Sequence, residues 1–221
     1  MCGRFVLTAN PELLQQSFNL TSAPSEVVPR YNIAPTQAVA VITNEPPRSL
    51  SYLKWGLIPS WSKDMTMAAK MINARSETAA EKPSFRTSFR RRRCVIPADG
   101  FYEWRAEGKD KIPMFIQLQD RPLFGMAGLW DIWQSADGSE IRTCSILTTS
   151  ANEFMRRFHE RMPVILSPQD YDLWLSPREE PLPILQGLMQ PYPAEAFSAY
   201  EVSKAVNRAV NDSPDLIRPV A

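Results

Sequence analysis

The chain carries 20 prolines against 8 glycines in 221 residues. Each proline fixes its own φ, removes a backbone donor and pushes the residue before it out of the helical region. A chain punctuated in this way is not built from a few long helices; it folds as many short elements joined by rigid turns. No uninterrupted apolar stretch approaches the ~18 residues of a membrane-spanning helix. The N-terminus lacks a charged region followed by an apolar run, so no signal peptide is expected and a cytoplasmic address follows. With 44% hydrophobic and 22% charged residues, the chain can bury a sizeable core, and one domain over residues 1–221 is the simplest reading.

Local signals place the elements. Asn10-Pro11-Glu12 offers an N-cap, a proline at N1 and an acid in the first turn, which predicts a helix with Leu13, Leu14 and Phe18 on its apolar face. Residues 21–30 read as a loop. Strands are expected at Ala38–Thr43, Leu50–Leu57, Cys94–Gly100 (ending in a turn), Pro113–Leu118, Leu123–Ile132, Glu140–Thr149 and Ser198–Val202, with a hairpin turn at 136–139. Phe85 and Phe89 are spaced as one side of an amphipathic helix, and the run Arg90-Arg91-Arg92-Arg93 reads as its solvated face. Ser150-Ala151-Asn152-Glu153 has the form of a capping box opening a helix to about Phe158, and Ser167-Pro168-Gln169-Asp170 caps another to about Leu175.

Position 2 is where a cysteine can become the first residue of the mature chain. Once Met1 is trimmed, Cys2 carries an α-amine and a thiol on adjacent carbons. The α-amine titrates at about 7.7–8.0, so roughly a tenth of it is neutral at pH 7. It condenses with an aldehyde to an imine, and the thiol closes a five-membered thiazolidine from a position of high effective concentration. Gly3 leaves room beside the nucleophile, and Arg4 adds a fixed positive charge. The alternative is that Cys2 stands there by accident. Cys94 and Cys144 lie in apolar strand-like runs and read as core residues. An odd count of three cysteines without a CxxC spacing argues against a disulfide framework or a structural zinc site.

Further candidates stand in separate segments. If Ile72–Thr78 is extended, Asn73, Arg75 and Glu77 share one face, as a site or as the wet side of an edge strand. Glu103 lies within Phe101-Tyr102-Glu103-Trp104; desolvation there would raise its pKa and make it a general acid, unless it reaches solvent or an arginine. His159, the single histidine, follows the helix expected to end near Phe158, whose macrodipole would favour its charged form; the other reading is structural. Trp61 sits in a loop, where a core role is less expected. Net charge is +1, which excludes a large uniform field for gripping nucleic acid, but 18 of the 25 basic residues are arginine, the residue for bidentate phosphate contacts.

Seven segments together carry a resemblance: Met-Cys-Gly-Arg-Phe at 1–5, Tyr-Asn-Ile-Ala-Pro at 31–35, Trp-Gly-Leu-Ile-Pro-Ser-Trp at 55–61, Ile-Asn-Ala-Arg-Ser-Glu-Thr at 72–78, Gly-Phe-Tyr-Glu-Trp at 100–104, His-Glu-Arg-Met-Pro at 159–163 and Val-Asn-Asp-Ser-Pro at 210–214. In this order, over nearly the whole chain, they resemble the SOS response-associated peptidase (SRAP) family. The resemblance implies a compact α+β domain with a curved, barrel-like, mostly antiparallel sheet and peripheral helices. It also implies covalent capture of abasic sites in single-stranded DNA by the N-terminal cysteine as a thiazolidine. Met1 removal, by an aminopeptidase or by self-processing, is then maturation, with lyase-type chemistry at the lesion and no general protease activity. By the same resemblance Cys2 is the nucleophile, Asn73 holds the amine and sugar, Glu103 shuttles protons and His159 assists ring opening. Arg4 and Arg75 would bind phosphates, Trp61 and Pro35 would pack against bases, and Thr148 would add a polar contact. A monomer without metal or organic cofactor is implied.

Two rivals remain open on the residues. An N-terminal-nucleophile amidohydrolase would use Cys2, Asn73 and His159 but leave the tryptophan and arginine segments idle. A non-covalent single-stranded or modified-DNA binding module would use Trp61, Arg4 and Arg75 but give Cys2 no task.

Overall fold

The computed structural model describes residues 2–220. Among the described residues thirteen strands follow one another: β1 (Phe5–Leu7), β2 (Arg30–Ile33), β3 (Ala38–Thr43), β4 (Leu50–Trp55), β5 (Asn73–Arg75), β6 (Arg93–Ala98), β7 (Gly100–Glu107), β8 (Asp110–Leu118), β9 (Phe124–Gln134), β10 (Glu140–Ser150), β11 (Arg161–Pro163), β12 (Ile165–Leu166) and β13 (Phe197–Glu201). The helices are short: α1 (Pro11–Phe18), α2 (Ser76–Ala79), α3 (Arg86–Arg91), α4 (Tyr171–Trp174) and α5 (Leu182–Gly187), with several 3-10 turns between. This is the many-element pattern that the proline content predicts.

Five strands close on themselves in the order β10-β4-β3-β6-β9-β10, a barrel in which only the β10–β4 contact is parallel. Closure removes the sheet edges that would otherwise offer unpaired backbone groups. A second, antiparallel sheet runs β13-β8-β7-β1-β2. The chain passes from barrel to second sheet at Asp99, between β6 and β7, where the Asp99 carboxylate accepts the backbone N–H and the hydroxyl of Thr8. The core holds Trp55, Trp130 and Trp174 with Phe5, Phe89 and Phe101, all essentially fully buried. Phe5 meets the face of Trp55 edge-on at 5.2 Å between centroids, so β1 is packed directly onto the barrel. The fold is thus α+β with a closed, mostly antiparallel barrel, as the resemblance implies.

Most expected elements stand where local chemistry puts them. Asn10 caps α1 by accepting the Leu13 N–H at 2.8 Å, and Phe85 and Phe89 bury the inner side of α3. Three expectations are corrected. The segment after β10 forms no α-helix: Asn152, rather than Ser150, accepts the Met155 N–H at 2.8 Å, and a single 3-10 turn covers Met155–Arg157. A one-turn element carries little dipole, so the field expected to charge His159 is absent. The extended run at 72–78 stops at Arg75, and Glu77 lies on α2 instead of continuing the face of Asn73 and Arg75. Finally, Arg93 is not solvated. It is fully buried, and its guanidinium donates to the carbonyls of Trp174 (2.8 Å), Phe89 (3.2 Å), Arg90 (2.6 Å), Ser176 (2.7 Å) and Arg178 (3.0 Å). The planar fork of arginine suits this task of gathering orphan carbonyls at chain ends.

Candidate active site

The candidate residues come from both sheets. Cys2 stands three residues before the start of β1 and is fully buried. Asn73 opens β5, which pairs in parallel with β10. Its Nδ2 donates to the Cys2 carbonyl at 3.0 Å, while its buried Oδ1 finds no donor among the described residues. Glu103 projects from β7 and is almost fully buried. Burial raises its pKa above the ordinary carboxylate value. Burial pushes the Cys2 thiol up as well, so it is protonated at neutral pH.

His159 stands between the 3-10 turn and β11. The Arg161 backbone N–H donates to its Nδ1 at 2.9 Å, which leaves Nε2 to carry the proton. Partial burial lowers its pKa, so the neutral form prevails. His159 and Glu103 line one cleft of about 520 Å³, together with Trp104, Lys111 and Asn207. The structure therefore bonds Asn73 to Cys2 and places Glu103 and His159 on one cleft.

The nucleic-acid candidates spread around this centre. Arg75 is exposed, two residues along β5 from Asn73 and on the same face. Trp61 is 58% exposed, on an excursion that leaves β4 at Gly56 and returns beside β10 at Ile72. Gly56 has φ +129°, and a Cβ there would lie 2.4 Å from the Ala68 carbonyl oxygen, so only glycine lets this loop start. Asp131 holds the loop by accepting the Ser60 N–H at 3.1 Å while pairing with Arg92. Pro35 is half-buried in the turn into β3, whose Thr36 N–H bonds the Trp55 carbonyl at 2.8 Å. Thr148 is fully buried opposite Arg75; its hydroxyl bonds the Ala74 carbonyl at 3.4 Å, so it braces β5 from within. Arg4 donates to Asn32 and to the Val206 carbonyl, each at 2.8 Å, and is half-buried. Sequence reasoning missed Lys111 and Asn207, whose neighbours carry no motif, and the Glu77–Arg161 bidentate pair (2.6 and 2.9 Å), whose partners lie 84 residues apart. Among the described residues no His, Cys, Asp and Glu cluster could hold a metal ion.

The family model described as "SOS response associated peptidase (SRAP)" matches residues 1–209. The chain belongs to the SRAP family. Among SRAP relatives it is 46% identical to "Abasic site processing protein YoqW" of Bacillus subtilis, with 98% of this chain and 99% of that one covered. It is 32% identical to "Abasic site processing protein YedK" of Escherichia coli over the full length of both. Among solved structures, a crystal structure of a protein from Bacteroides thetaiotaomicron superimposes with a TM-score of 0.90 at 30% identity, covering both chains completely. The SRAP barrel and its flanking sheet are therefore shared across the whole chain.

Proposed function

We propose that this protein processes abasic sites, and that it does so by trapping the lesion in single-stranded DNA as a thiazolidine on Cys2 after Met1 is removed. Met1 and its removal lie outside the described residues. The names of the relatives point to abasic-site processing. The observation that carries the covalent reading is the Asn73 hydrogen bond to the carbonyl of buried Cys2, with the buried Glu103 carboxyl lining a cleft beside His159.

Each step uses a group that this site holds. The abasic sugar is a hemiacetal, and opening it needs a proton on the ring oxygen and loss of one from the C1′ hydroxyl. Water relays the C1′ hydroxyl proton to the ring oxygen, toward which neutral His159 directs its Nε2–H as a hydrogen bond. The free α-amine of Cys2 adds to the C1′ aldehyde, and Asn73, with a spare acceptor oxygen, holds that amine in line. Protonated Glu103 gives its proton to the carbinolamine hydroxyl, water leaves, and an iminium remains. The Cys2 thiol adds to the iminium carbon as its proton passes to the Glu103 carboxylate. The sum is aldehyde plus aminothiol to thiazolidine plus one water, with Glu103 restored.

Arg75 supplies charge to the flanking phosphates, and Trp61 and Pro35 offer surfaces for neighbouring bases, contacts that tolerate any sequence. Arg4 adds positive charge beside the cleft, and Thr148 supports the strand that carries Asn73 and Arg75. The protein acts as a monomer in this scheme.

The test is a crosslinking gel. Protein with a mature N-terminal Cys2, confirmed by mass spectrometry, is mixed with a single-stranded oligonucleotide carrying one abasic site and heated in denaturant. A retarded band that is lost in Cys2→Ser and Cys2→Ala is expected. No band would sink the covalent reading. Amide hydrolysis without any DNA adduct would favour an N-terminal-nucleophile amidohydrolase, and undiminished DNA association in Cys2→Ala, including on abasic DNA, would favour a non-covalent binder.

A further inference from the structure

Asn32 is fully buried at the point where β1 and β2 fall out of register. Phe5 faces Ile33 and Leu7 faces Arg30, so β2 spends two residues, Tyr31 and Asn32, where β1 spends only Val6. Such an irregularity re-aims side chains. Here the Asn32 side chain meets Arg4 and the chain segment 203–212. Its Oδ1 accepts from Arg4 Nη1 at 2.8 Å. Its Nδ2 serves the carbonyls of Val206 (3.2 Å), Arg208 (3.1 Å) and Asn211 (2.8 Å). Arg4 Nη1 also donates to the Val206 carbonyl at 2.8 Å, so Asn32, Arg4 and this C-terminal strap form one closed network. Asp212 secures the other side of the strap by accepting the Asn32 backbone N–H at 3.1 Å and pairing with Arg30.

The network reaches the site from two directions. Arg4 lies two residues from Cys2, and its carbonyl accepts the N–H of Tyr102 at 2.9 Å, next to Glu103. In the middle of the strap, Asn207 Oδ1 accepts from Trp104 Nε1 at 2.8 Å, where both residues line the cleft. The geometry points to Asn32 as a positioning residue whose Oδ1 fixes Arg4 and thereby sets Cys2 against Glu103, while its Nδ2 ties the C-terminal strap to the fold. This role rests on the covalent reading above and adds a part that lies far from the chemistry in sequence. It also gives Arg4 a task other than phosphate binding, since its Nη1 donors are already engaged inside the protein.

Single-turnover crosslinking separates these tasks, because it yields a rate constant at saturating abasic DNA and a half-saturating concentration. Asn32→Ala is expected to lower the saturating rate constant at least ~10-fold, because small misplacements of reacting groups are amplified in rate. Its half-saturating concentration stays within about twofold of wild type. Asn32→Asp keeps an oxygen for Arg4 and gives up the donors to the strap. It is expected to lower the unfolding midpoint while holding the rate constant within about threefold of wild type.

An unchanged rate constant in Asn32→Ala overturns the proposal. So does a rate that falls in Asn32→Asp as far as in Asn32→Ala, which would mark Asn32 as fold support alone. A raised half-saturating concentration at unchanged rate in both Asn32→Ala and Arg4→Ala would leave Arg4 as a phosphate ligand. Should Asn32→Ala fail to fold, the Asn32→Asp variant decides by whether midpoint and rate separate. If mature wild-type protein makes no crosslink, the functional reading fails by itself. The clamp is then judged by amide hydrogen exchange over Phe5–Leu7, which must quicken in Arg4→Ala and stay near wild type in Asn32→Asp.

Discussion

Replacing Asn73 by alanine removes one hydrogen bond and strands one buried acceptor. The bond runs 3.0 Å from Nδ2 to the carbonyl of Cys2, a residue with no exposed surface. Leaving a buried acceptor unsatisfied costs about 1–3 kcal/mol. Where that energy appears is the informative part. Spent wholly on holding Cys2 in the reactive geometry, it corresponds to a rate loss of roughly 5–150-fold at saturating DNA. Spent wholly on the fold, it lowers the melting temperature by about 2–12 °C for a chain of this size. Because the bond secures the residue next to the chain end, outside any strand, the expected result is the first, with a melting shift of only about 2 °C or less. Single-turnover crosslinking and thermal unfolding on the same preparations measure both. A saturating rate within twofold of wild type, with the full loss appearing in the melting temperature, would refute the reasoning that Asn73 acts on Cys2 rather than on the barrel.

Glu103→Gln should lower the crosslinking rate by ~10²–10⁴, the usual worth of a proton shuttle, and should stabilise the fold at neutral pH. The sign follows from burial: the folded carboxyl keeps its proton where the unfolded one, at about 4.3, has lost it, so wild-type stability falls as pH rises above that value. The glutamine variant should match wild type in acid and exceed it increasingly toward neutrality; a constant gap in chemical denaturation would count against it. Trp61→Ala, at an exposed position, should leave the melting temperature unchanged and raise the half-saturating DNA concentration by about 5–150-fold, as loss of one stacked base implies. Arg75→Gln should reduce the dependence of binding on salt by about 0.7 in the log–log slope if it neutralises one phosphate of a single strand. Arg93→Met should cost at least about 3 kcal/mol in denaturant unfolding, since several buried carbonyls lose their donor together; a loss below about 1 kcal/mol would mean that water takes its place.

Local chemistry was legible where it acts over a few residues. The Asn10 cap, the amphipathic spacing of Phe85 and Phe89, the strands from Ala38 and Glu140, and the hairpin at 136–139 all rest on contacts within one turn or one strand pair. The capping-box signal at Ser150 misled because β10 holds Ser150 in its pairing with Arg161, and the tertiary ladder outweighs a local cap. The arginine run misled in its last member because the carbonyls that Arg93 gathers include those of Trp174, Ser176 and Arg178, more than 80 residues ahead.

The site divides along the same line. By itself the sequence determined the chemistry on offer: an aminothiol in waiting at position 2, an acid among aromatics at 103, one histidine at 159, and the ordered segments that mark the SRAP family. Only the tertiary structure decided that Asn73 bonds Cys2, that Glu103 is buried with its pKa raised, and that Asn32, Arg4 and residues 203–212 close into one network. The physical reason is that reactivity resides in covalent structure, which the sequence spells out. Protonation and alignment depend on desolvation and on hydrogen bonds between residues tens to hundreds of positions apart, and these exist only once the barrel and its flanking sheet have packed.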